Sequence, residues 1–135
     1  MMDMRNRSVG NALPPLSLHG THDEDYTWLL EVTTVGIVVT DSEGHIRLVN
    51  TEAARLFGYA REELLGQPVE TLIPERYREA HVRHRAAYRH MPRARAMGAG
   101  LQLYGVRHDG SEFPMEIGLT PLHTDQGFLV ATTII

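Results

Sequence analysis

A chain of 135 residues, 42% hydrophobic and 22% charged with a net charge of −4, is sized for one globular domain around a single moderate core. It contains no cysteine, which excludes a disulfide framework, a thiolate metal site and covalent flavin–cysteine photochemistry. No apolar run approaches a membrane span and no secretion-signal core opens the chain, so a cytoplasmic domain without a membrane partner is expected.

Residues 1–22, with Pro14-Pro15 and scattered Gly, Asn and Ser, show no sustained period and read as a flexible tail before a domain at 23–135. Asp23, Glu24 and Asp25 complement the dipole of a helix start, and Trp28, Leu29 and Val32 then form an apolar stripe. An amphipathic helix over about 24–33 is expected to pack on its own domain or on a second subunit.

The β-branched run from Gly36 to Thr40, the turn Asp41-Ser42-Glu43-Gly44 and the alternation from His45 to Asn50 predict a hairpin. Asn50-Thr51 opens a short helix that Gly58 stops, and residues 61–66 add a helical turn ending in Gly66. In the last third, residues 99–107 and Glu112 to Thr120 alternate as strands, the second with Phe113, Met115, Ile117 and Leu119 on one face. The turn at His108-Asp109-Gly110-Ser111 joins them, and a final strand follows Gly127. Two strands, three helices and three strands argue for an α+β domain with one antiparallel sheet covered on one face by helices.

The third helix is the unusual element. Pro74 starts it and Pro92 ends it, and Tyr77, His81, His84 and Tyr88 share one face at offsets of four, three and four. Histidine, tyrosine and alanine stand where a core helix would put leucine, as suits the wall of a ligand cavity. All thirteen basic residues are arginine, and seven lie in 74–95 against Glu75 and Glu79, leaving that stretch at +5 and the rest at −9. With no second basic element, a solvated helix face is expected, not a nucleic-acid surface. His81 and His84 lack a third ligand on their face, so a zinc site is not expected. Asp41, Glu43 and Asp109 are accounted for by turn geometry. No nucleotide-binding or hydrolase motif occurs, and no catalytic residue is assigned.

Residues 24–135 as a whole resemble the PAS domain of bacterial signalling proteins. The resemblance rests on GIVVTDSEGHIRLVN for the first hairpin, NTEAARLFGYAREELLGQPVETLIP for the helical connector and RHDGSEFPMEIGLTPL for the fourth strand. It implies the PAS fold, a five-stranded antiparallel sheet with a helical connector packed on one face. The long helix is most similar to that of the haem-binding FixL and direct oxygen sensor subgroup, in which Pro-x-x-x-Arg-x-x-His supplies the proximal histidine. Pro74, Arg78 and His81 match that spacing, so the resemblance implies haem b with His81 as axial ligand to the iron. Tyr77, His84, Tyr88, Arg95, Met97, Leu101, Leu103 and Ile117 are expected to line the pocket.

The match departs on the distal side. Leu101 stands where that subgroup has an oxygen-steadying arginine, Ala99 where one branch has a methionine, and Ala87 where an arginine contacts a haem propionate. Arg95 keeps the basic character of its position. The resemblance thus implies a gas or redox sensor of altered selectivity, the input domain of a protein whose output is most often a histidine kinase. The chain ends as its last strand ends, where a linker to such an output is expected. The alternative is a cofactor-free module, or one with another small ligand, that dimerises through its N-terminal helix and outer sheet face. His81 then only bridges its helix to the sheet.

Overall fold

The β-branched run at Gly36–Asp41 (β1) and the alternating run at Ile46–Val49 (β2) form the expected hairpin in the computed structural model, which describes residues 30–90, 95–97 and 103–135. Val38 pairs with Val49 and Val39 with Leu48, and the register then slips so that Thr40 faces Ile46. The expected tail at 1–22 lies outside the described residues, and of the helix expected over about 24–33 only its end, helical at 30–32, lies within them.

Three helical segments follow, as expected: Thr51–Phe57 (α1), Arg61–Leu64 (α2) and, after a 3₁₀ turn at Val69–Leu72, the long helix Glu75–His90 (α3). Gly58 ends α1 in the left-handed conformation at φ 76°, its N–H bonding back to Ala54 and Arg55. The remaining strands are Arg95–Met97 (β3), Leu103–Val106 (β4), Glu112–Met115 (β5), Ile117–Thr124 (β6) and Gly127–Ile134 (β7). For β3 only the backbone is described. An antiparallel five-stranded sheet runs β2-β1-β7-β6-β3, and β4 and β5 form a separate two-stranded ribbon.

The break at Glu116 between β5 and β6 corrects the expectation of one continuous strand over 112–120, while of the strand expected at 99–107 the described part is β4 and residues 99–102 lie outside the described residues. Met97 faces Ile117 and Leu103 faces Met115, so the pairing of β3 with β6 and that of β4 with β5 are out of step on either side of Glu116. Pro114 in β5 has no N–H to donate, and the backbone of Glu116 bonds in both directions to Ile135 (3.2 and 3.0 Å), on the opposite side from β4. The period-two pattern marked both segments as extended but carried no signal for the slip between them.

Strand alternation separates two apolar clusters. Val38, Val49, Met115 and Ile134 point to the face that α1, α2 and the 3₁₀ turn cover with Ala53, Phe57, Leu64 and Leu72. Val39 and Leu129, with Ile37, Leu48, Leu122 and Ala131 against them, form the second cluster. Gly105 on β4 allows a tight contact, because a Cβ there would lie 2.8 Å from Met115 Sδ and 2.9 Å from Phe57. Its absence lets the Phe57 and Phe113 rings meet at 5.2 Å.

Asn50 joins the three elements at the start of the domain. Its Oδ1 accepts from the N–H of Ile37 (2.8 Å) and of Ala53 (3.0 Å), capping α1. Its Nδ2 donates to the carbonyls of Leu30 and Val35 (both 3.0 Å) and to Thr33 Oγ1 (3.2 Å). Asn50→Ala removes the cap and strands buried backbone groups, so we expect a loss of about 3 kcal/mol in urea unfolding of the full chain. A loss under about 1 kcal/mol would show that these groups find other partners.

Candidate functional site

Between the inner sheet face and α3 lies a cavity of about 400 Å³, within the range of small-molecule sites. The strands supply an apolar wall that includes Val38, Leu103, Met115, Ile117, Leu119, Val130 and Ile134. Phe57, Val69, Leu72 and Ile73 close the connector side, and Tyr77, Ala80, His81, His84 and Tyr88 of α3 form the opposite wall. The expected histidine-and-tyrosine face therefore does look onto the cavity. Tyr88 is buried, His84 is exposed at the rim and Tyr77 is 43% exposed. Of the other expected lining residues, Leu103 and Ile117 are in the wall, Arg95 and Met97 belong to β3, and Leu101 lies outside the described residues.

Each member of the Pro74, Arg78, His81 motif has a local structural task. Pro74 is fully buried at the junction between the 3₁₀ turn and α3. Arg78 reaches back to the Ile73 carbonyl, its Nε donating at 2.8 Å. His81 directs Nδ1 at Glu70 Oε2, 2.6 Å away on the 3₁₀ turn, and no described residue bonds its Nε2.

Glu70 is a feature that sequence analysis missed. Only 7% exposed, its carboxylate takes Nε of Arg85 on Oε2 (3.1 Å) and Nη2 on Oε1 (3.3 Å), in addition to His81. Burial pushes this carboxyl up, but hydrogen bonds from Arg85 and His81 and the nearby charge more than offset that and hold it below the usual carboxylate range. An ionised carboxylate only accepts, so the hydrogen-bond network places the proton of this bond on His81 Nδ1. A lone glutamate inside the apolar run Pro68-Val69-Glu70-Thr71-Leu72-Ile73 was the available clue, but no periodicity linked it to a histidine eleven residues on.

The arginine face expected to be solvated on α3 is exposed at Arg76, Arg83 and Arg89, yet it also makes contacts the expectation did not include. Arg85 Nη1 donates to the Glu43 carbonyl at 2.7 Å and Arg89 Nη1 to the Ser42 carbonyl at 3.1 Å, so both grip the β1–β2 turn. Gly44 makes room for this, since a Cβ there would lie 2.4 Å from Arg85 Cζ. Arg76 forks onto Glu112 of β5 at 2.6 and 2.7 Å. Arg83, facing Glu79 at 3.4 Å, is an ordinary surface pair. Among the described residues no group of three or more His, Cys, Asp or Glu is placed to hold a metal ion, and no helix is long and apolar enough to cross a membrane.

The PAS fold profile matches residues 24–133. The chain is 35% identical over 91 residues to the sensor protein FixL of Bradyrhizobium diazoefficiens, covering 67% of this chain and 18% of FixL. It is 29% identical over 96 residues to the oxygen sensor protein DosP of Escherichia coli, covering 71% and 12%. It thus spans less than a fifth of the length of either relative. A PAS domain from a two-component sensor histidine kinase has a similar fold, with TM-score 0.69 and 14% identity over 84% of this chain and 94% of that one.

The Glu70 cluster predicts unequal arginines. At neutral pH, Arg85→Met should destabilise the chain by about 2 kcal/mol, because it leaves a buried carboxylate short of a cation, and Arg83→Ala by less than about 0.5 kcal/mol. Glu70 is held low in the folded state, so its stabilisation is complete above about pH 4.5 and is lost as pH falls through the folded value. The gap between the two variants in urea unfolding should therefore narrow in acid. A gap that persists or widens there would contradict this assignment.

Proposed function

The chain belongs to the PAS fold family, and from that premise we propose that it is a sensory domain that responds to a small ligand through haem b held by His81. One observation carries the proposal: His81 is tied at Nδ1 to a buried carboxylate while its Nε2 has no partner among the described residues, beside a cavity of about 400 Å³. A neutral imidazole so anchored fits the chemistry of an axial ligand. The largely apolar walls fit a flat hydrophobic macrocycle, and the similarity to FixL and DosP supports the same choice. Bound there, haem supplies an iron that takes a diatomic gas or changes redox state.

The chain's own residues then orient and exclude. Glu70 fixes the His81 ring, Arg85 holds Glu70, and the aliphatic strand residues keep water from the ring's free side. Leu101 and Ala99, standing at the resemblance's distal positions, offer no hydrogen-bond donor, which disfavours oxygen relative to carbon monoxide and nitric oxide. A ligand that favours one placement of α3 would be read through Arg85 and Arg89 at the β1–β2 turn and through Arg76 at β5. We also propose that the domain works in the cytoplasm, as the input to a histidine kinase.

Expression with haem supplied should give a purified chain with a Soret band, and His81→Ala should lose it. A wild-type chain that stays colourless under those conditions would sink the haem proposal.

We also propose a homodimer through the N-terminal helix and the outer sheet face, the arrangement that a cofactor-free module would share. Val32, 63% exposed at the end of the described helical residues, supports it, and Leu122 of the second apolar cluster is half-buried on that sheet face. Sedimentation velocity of the full chain should give a dimer, and Leu122→Arg within that cluster should shift it to monomer. A monomeric wild type, or a variant that still sediments as a dimer, would argue against this interface.

A further inference from the structure

We propose that Glu70 is a positioning residue that fixes His81 in the Nδ1–H tautomer and thereby presents the Nε2 electron pair to the cavity. For an isolated neutral imidazole either nitrogen can carry the proton, and a ligating ring must leave its metal-facing nitrogen bare. Here the choice is made before any ligand arrives. The carboxylate is 2.6 Å from Nδ1, and Arg85 grips both of its oxygens from the same helix one turn further on. Because Glu70 sits on the 3₁₀ turn and His81 on α3, the bond also fixes the angle between ring and cavity wall. The carboxylate supplies more than orientation, since it pulls on the Nδ1 proton and so makes Nε2 a stronger electron-pair donor to a metal.

The consequence for a metal rests on the haem proposal, but the tautomer does not, and this separates the two tests. In the cofactor-free full chain, ¹⁵N-histidine correlation spectra in mildly alkaline buffer should show His81 with a protonated, pyrrole-type Nδ1 and an unprotonated Nε2. The resonance is identified by its loss in His81→Gln. Glu70→Ala should shift the ring toward the Nε2–H form that free imidazole side chains prefer. With haem added, Glu70→Gln should weaken binding roughly 10- to 100-fold and lower the iron–histidine stretching frequency, because a neutral amide pulls less on Nδ1.

An Nε2–H tautomer in the wild-type chain would overturn the proposal, and that measurement needs no variant to fold. Haem affinity and stretching frequency unchanged in Glu70→Gln would overturn it as well. A chain with the Nδ1–H tautomer, dependent on Glu70, that takes up no haem would uphold the role of Glu70 and defeat the haem proposal alone.

Discussion

A buried carboxylate obliges its surroundings to compensate it. Glu70 stands on a four-residue 3₁₀ turn among apolar neighbours, and its ionised form is stable there only because a guanidinium and an imidazole converge on it. Both partners come from α3, four residues apart, so satisfying one anion fixes both the rotation and the axial position of a 16-residue helix. Arg85 then continues to the Glu43 carbonyl, which ties the connector, the helix and the first hairpin through one side chain.

The helix needs such fastening because it buries little apolar surface. Tyr88 is its only buried residue, and its other inward groups are alanine, histidine and tyrosine at the cavity wall. A helix with leucines at those positions would collapse onto the sheet and fill the space. Here the two apolar clusters hold sheet and connector together, while polar bonds at Arg76, Arg78, His81, Arg85 and Arg89 hold α3 across the gap. The cavity exists because the two kinds of contact are segregated.

Most of the architecture was legible because it is written in short-range chemistry. The hairpin turn, the Asn50 cap, the Gly58 stop and Pro74 at the α3 junction each act within a few residues, so their side chains announce them. The cavity-facing stripe of α3 was legible for the same reason, as a helical spacing filled with the wrong residues for a core. What escaped reading depends on contacts distant in sequence. Glu70 and His81 are eleven residues apart on different elements, Arg85 and Glu43 are 42 apart, and no local pattern couples either pair. The same holds for the strand slip at Glu116, whose backbone bonds to Ile135 just beyond β7. The carbonyl contacts of Arg85 and Arg89 escaped reading because a charged stripe has the same spacing whether it meets water alone or carbonyl groups as well.

Arg76 to Glu112 and the Arg85–Glu70 pair give the domain two layers that answer to different properties of the solvent. The sheet and connector depend on apolar burial, which salt does not screen and which excluded co-solutes strengthen. The outer half of the α3 fastening is exposed ion pairing, weakened over a Debye length of about 8 Å at physiological ionic strength. Ionic strength therefore acts selectively on the cavity's helical wall, while the sheet behind it keeps its shape. In such a molecule a ligand that touches α3 works chiefly against polar fastenings, with Tyr88 the one buried side chain of the helix.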